Sequence, residues 1–181
     1  MHHEYLLELF DLCRKARLTS QVSTNGYILP WLSEALSKAV DLPAIGFKAS
    51  GSSAFYRKMD ADPKVVLESA RIFYANNRRT DVTNLVGPTL EISVQDHANF
   101  ATQLCNDLAP DVPVELKYTL NPGSPFWCTD EFGRTHEQAF YEAASKYLRE
   151  VATVLAENGL TNVFWPDPLD IRNGKLRWAR L

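Results

Sequence analysis

Apolar positions along this chain recur with two alternating periods. Leu6, Leu9, Phe10 and Cys13 fall at three- and four-residue steps, with Glu8, Asp11, Arg14 and Lys15 on other faces. That spacing predicts an amphipathic helix running out near Arg17. Residues 19–24 then read as a short β-prone run, closed by the turn pair Asn25-Gly26. Pro30 opens a second helix with the stripe Leu32, Ala35, Leu36 and Ala39, since proline's missing N–H costs nothing in a first helical turn.

The alternation repeats. Residues 42–48 predict a buried strand that leads into a small polar loop, 49–53. Asp62 caps a helix beginning at Pro63, with Val66, Ala70, Phe73 and Tyr74 as its apolar stripe. Residues 81–86 predict the next strand. Ser93 and Asp96 then have the spacing of a capping box, ahead of the stripe His97, Phe100, Ala101, Leu104, Cys105 and Leu108. A fourth strand is read over 112–119, its start left open by Pro113. Phe140, Ala144, Tyr147, Val151 and Leu155 mark the buried face of the longest helix, which Asn158-Gly159 ends. Residues 161–165 are a last short strand before a basic tail, 166–181. Strands alternating with helices at this spacing predict βαβ units, a parallel sheet and one α/β domain over residues 1–181.

Composition narrows the partners. Nineteen Lys and Arg against 22 Asp and Glu leave a net charge of -3, which argues against a protein built to grip nucleic acid phosphates. No stretch is apolar enough to span a bilayer, so no membrane partner is expected. Cys13, Cys105 and Cys128 are odd in number and far apart, which points to a reducing cytoplasm rather than a disulfide framework.

In parallel α/β folds, ligands sit at the carboxyl ends of strands. Those positions here are Ser23, Thr24 and Asn25, then Lys48 to Ser50, then Thr83 and Asn84, then Lys117, Tyr118, Thr119 and Asn121. Each residue type alone is ordinary for a cap or turn. Four strand ends converging on one rim, two of them near a lysine, suit a ligand with carboxylate or phosphate oxygens. His97 and His136 have no metal-ligand partners at helical spacing, and Gly51-Ser52-Ser53 lacks the pattern of a phosphate loop. Arg172, Lys175, Arg177 and Arg180 read as a docked C-terminal tail.

The order of segments resembles the radical SAM activating-enzyme family, and within it the relatives of pyruvate formate-lyase activating enzyme. Val22 to Ile28 is similar to that family's "TNGYI" strand end, Ile45 to Lys48 to its "DLK" strand end, and Phe55 to Lys58 to its "FYRK" helix. Val82 to Glu91 matches the "VTTLVIPGLND" strand and turn, and Glu115 to Pro122 the "HLSRFHP" strand. The likeness spans residues 4–168. It implies a partial (β/α) barrel of mostly parallel strands with outer helices, lacking the N-terminal cluster-binding units. It also implies an S-adenosyl-L-methionine site lined by Ser23, Thr24, Asn25 and Lys48, with Thr83, Asn84, Lys117 and Asn121 facing cofactor or substrate.

The departures limit the chemistry. Family members hold a [4Fe-4S] cluster on a CxxxCxxC loop, and three thiolates leave one iron open for S-adenosylmethionine. This chain has neither that triplet nor the "GGEP" strand end; Phe47 replaces the usual Asp, and Asn121 the histidine. Two readings follow. One is a C-terminal piece of a radical SAM activase whose partner is a glycyl radical enzyme. The other is a non-catalytic module that binds a small anion or another chain. In either, the outer edge of the strand near residues 19–23 lacks a neighbour, and two coverings are expected: a second copy, or the tail 165–181 packed across it.

Overall fold

Six strands form one sheet in the order β1-β2-β3-β4-β5-β6 in the computed structural model, which describes residues 3–87, 90, 92–118, 138–168 and 178–181. Helix α1 (His3–Lys15) leads into β1 (Gln21–Thr24), α2 (Pro30–Ala39) and β2 (Leu42–Lys48). A single 3-10 turn (Ala49–Gly51), α3 (Ser53–Lys58) and α4 (Pro63–Asn76) follow, then β3 (Asp81–Val86) and α5 (Val94–Asp107). The chain closes with β4 (Val114–Tyr118), α6 (Gln138–Glu157), β5 (Val163–Pro166) and β6 (Trp178–Arg180). β1 to β5 are parallel neighbours in chain order, and β6 runs antiparallel beside β5.

Local chemistry explains the boundaries. Pro30 and Pro63 sit in the first turns of α2 and α4, and the Asp62 carboxylate accepts from the Lys64 N–H at 2.9 Å. Ser93 and Asp96 form a reciprocal capping box, each side chain accepting the other's backbone N–H at 3.0 Å. Gly159, at φ 106°, ends the turn after α6 where a residue with a side chain would be strained.

Strand pairing assigns the two sheet faces. Ile45, Val82, Val114 and Val163 lie abreast, as do Phe47, Asn84 and Leu116 one step further on. These apolar side chains join Leu36, Phe73, Leu104, Leu148 and Leu155 of the helices in a single buried core. Right-handed crossovers between strands in sequential order put every connecting helix on that side. The opposite face carries Ala44, Gly46 and Lys48, then Asp81, Thr83 and Leu85, then Glu115, Lys117 and Phe164. It is the polar face, and we refer to it as the open face.

The α/β expectation is met, and two local expectations are corrected. The polar loop 49–53 is a 3-10 turn followed by α3, because Tyr56 turns back and its hydroxyl accepts from the Lys48 N–H at 3.2 Å. The tail does not cross the β1 edge at residues 178–180. These pair with β5 at the far side of the sheet, Trp178 opposite Pro166 and Arg180 opposite Phe164. Apolar contact decides this, with the Trp178 and Phe164 rings edge to face at 5.5 Å.

Candidate functional site

The residues expected to share one rim divide between the two faces. Consecutive residues of a strand point to opposite sides, so a strand end cannot offer all of its polar residues to one ligand. Thr24 lies abreast of Ile45, and Asn84 abreast of Phe47 and Leu116, both on the helix-covered side. Asn84 is fully buried there. This corrects the expectation that Thr24 and Asn84 line the ligand mouth. Ser23 lies on the open side but abreast of Ala44, four residues before Lys48, or about 13 Å down the sheet. It too is separated from the lysines. Asn121 lies outside the described residues.

Lys48, Thr83, Lys117 and Asn25 remain together at the carboxyl end of the open face. Lys48 and Lys117 flank Leu85 in one row across β2, β3 and β4. Thr83 and Glu115 occupy the row below, where the Thr83 hydroxyl donates to the Glu115 carboxylate at 3.3 Å. Glu115 also holds Lys117, with Nζ 3.1 Å from Oε2. Asn25 reaches this region because Gly46 has no side chain. A Cβ there would lie 3.2 Å from the Thr24 carbonyl oxygen and 3.8 Å from the Asn25 Cα. The end of β1 therefore passes close over β2, and the Asn25 carboxamide is fixed in a turn by accepting the Tyr27 N–H at 3.0 Å.

Electrostatics single out Lys48. Burial pushes its ammonium below the ordinary value, and the neighbouring Lys117 charge adds to the effect. Among the described residues, no carboxylate pairs with it. Deeper in the sheet the sign reverses: burial, then the Glu115 charge, pushes the Asp81 carboxyl above its ordinary value. The open face is thus polarised, with ammonium groups at the carboxyl rim and carboxylates below.

The sequence reading missed a buried polar cluster directly behind this rim. Ser50 follows Lys48 by two residues, and its N–H donates to Asn84 Oδ1 at 3.1 Å. Asn84 Nδ2 donates back to Ser50 Oγ at 2.9 Å, and Ser50 Oγ lies 2.6 Å from His97 Nδ1. Burial pushes the His97 imidazole down to about 4, against the opposing charge of Asp96, so the ring is neutral near pH 7. The cluster supports strain: Ala49 and Ser50 both adopt φ 48°, the left-handed region that costs a residue with a side chain roughly 1–2 kcal/mol. Its available signal was His97 standing in an otherwise apolar stripe, a place where a buried imidazole needs a partner.

Cys13 is on α1 and Cys105 on α5, both as free thiols. Among the described residues no group of three His, Cys, Asp or Glu could hold a metal ion. Cys128 lies outside the described residues. Comparison with known proteins adds no assignment: the chain matches no protein-family model and no curated protein.

Proposed function

We propose that this chain is the C-terminal sector of a radical SAM activase-type (β/α) barrel, and that its open face binds S-adenosylmethionine. What supports the reading is the half-buried Lys48 ammonium, placed beside Lys117 with no carboxylate of its own among the described residues. Such a group favours an anion, and the methionyl carboxylate is the anion that the resemblance implies. In this reading Lys48 pairs with the carboxylate, and Lys117, held by Glu115, completes the positive rim. The Asn25 carboxamide faces the nucleoside, and Thr83 steadies Glu115 from below. Tyr56 and the Ser50–Asn84–His97 cluster act one step removed, by fixing the backbone on either side of Lys48. Reductive cleavage of the sulfonium belongs to a cluster-bearing CxxxCxxC segment that these residues do not supply, and the partner of the complete machinery is a glycyl radical enzyme.

Isothermal titration tests the binding half. S-adenosylmethionine is expected to bind weakly, with a dissociation constant on the order of 1 mM, because much of its contact surface lies outside this sector. Lys48→Ala should weaken it about tenfold, whereas 5′-methylthioadenosine, which lacks the carboxylate, should bind both forms equally. Binding that ignores Lys48→Ala overturns the proposal. Inorganic phosphate binding as well as S-adenosylmethionine, with the same Lys48 dependence, would instead favour the second reading, a free-standing small-anion module.

A further inference from the structure

The flank of the molecule beyond β1 combines two unsatisfied features. β1 is the terminal strand of the sheet, and among the described residues its only strand partner is β2. Helix α1 overhangs the same side. Its Phe10 joins the core, while the His3 ring meets Trp31 of α2 edge to face at 5.0 Å and Arg14 Nη2 donates to the Ala39 carbonyl at 3.5 Å. Those contacts fix which way α1 faces. Tyr5, Leu9 and Leu12 follow one another at steps of four and three, so they share one flank, the one turned away from α2. They are 65%, 37% and 55% exposed. An apolar helical stripe beside a free parallel-sheet edge is a surface built to be covered.

We infer that it is covered by a second copy of this chain, related by a two-fold axis perpendicular to the sheet. That axis runs β1 antiparallel to its copy, keeps both helix layers on one side, and lays α1 antiparallel against α1. Charge selects this arrangement. The first half of α1 carries Glu4 and Glu8; its second half carries Arg14 and Lys15, which share the one carboxylate of Asp11 at 3.8 and 2.7 Å, with Arg17 just beyond, so that half keeps a net positive charge. Antiparallel docking centred between Leu9 and Phe10 sets the acidic half of each helix against the basic half of the other, with Glu4 opposite Lys15. It also opposes the two helix dipoles. The tail is not the occupant at residues 178–180, since these are paired with β5. The product is a continuous twelve-stranded sheet, and a further β/α unit of a fuller barrel would compete with it for the same edge.

Sedimentation equilibrium at micromolar chain should give twice the 20.5 kDa of one protomer. Leu9→Glu, at an exposed helical position that leaves the core untouched, should raise the dimer dissociation constant about tenfold or more with an unchanged circular dichroism spectrum. Glu4→Lys and Lys15→Glu should each weaken the dimer, and the double reversal should restore it. A wild-type chain that stays monomeric overturns the inference, as does a dimer indifferent to Leu9→Glu. Weakening by Leu9→Glu without rescue by the double reversal overturns the antiparallel register. The test is separable from the ligand reading, because Lys48→Ala should leave the mass of the assembly unchanged.

Discussion

His97 shows how much one side chain can carry here. Its imidazole is hydrogen-bonded to Ser50 in a buried site, and burial pushes its pKa down to about 4, against 6.5 when free. As pH falls below about 6.5, the unfolded chain takes up a proton that the folded chain refuses. The contribution of His97 is therefore complete above that value and is lost progressively down to about pH 4. The loss amounts to a folding penalty on the order of 2–3 kcal/mol. Thermal melts should show the wild type losing stability faster than His97→Gln between about pH 6.5 and pH 4.5. Parallel curves for the two proteins in that range would contradict the buried neutral ring.

At the scale of elements, the connections store strain that sequence changes can release. Arg17 closes α1 with φ 57°, and the Leu18 N–H returns to the Cys13 carbonyl at 2.9 Å, the pattern of a left-handed helix end. The residue is exposed, so its side chain contributes little packing in the monomer. Arg17→Gly should raise stability by about 0.5–1 kcal/mol, read as a higher denaturation midpoint at unchanged slope. A fall in the midpoint would mean that the arginine makes contacts outweighing its backbone strain. The turn after β2 differs in kind, because Ala49 and Ser50 are left-handed but buried and are held by Asn84. There the strain is matched by hydrogen bonds that set the direction of α3 and, through Tyr56, the end of β2.

Across the whole molecule, the cationic rim and the two described cysteines lie on different elements. One face of the sheet is used up in joining to helices, and the other presents cations at its carboxyl rim. Cys13 and Cys105 lie on α1 and α5, helices joined to that sheet at different strands, and among the described residues no cluster of candidate ligands surrounds either. Anaerobic incubation with iron and sulfide should therefore yield no stoichiometric [4Fe-4S] absorption or reducible spin signal. A stable cluster lost on changing Cys13, Cys105 and Cys128 to alanine would show that the chain brings its thiols together in a way its separate helices do not suggest.

What the sequence by itself determined were the features with short range. Hydrophobic period distinguished helices from strands, and Pro30, Asp62, Ser93 and Gly159 marked helix ends through chemistry that acts within four residues. Sequential βαβ alternation was enough to expect parallel strands. Only the tertiary structure decided which face each strand-end residue serves. Register between strands depends on packing across the sheet, and a one-residue step reverses every side chain. That is why Lys48 and Lys117 share a row of the open face, on either side of Leu85, while the candidate residues Thr24 and Asn84 are withdrawn to the other side. The Ser50–Asn84–His97 cluster joins residues 34 and 47 positions apart, beyond the reach of any local pattern. The three-residue β6 was invisible for the same reason, since it exists only because β5 offers it an edge and Phe164 offers Trp178 a ring to pack against.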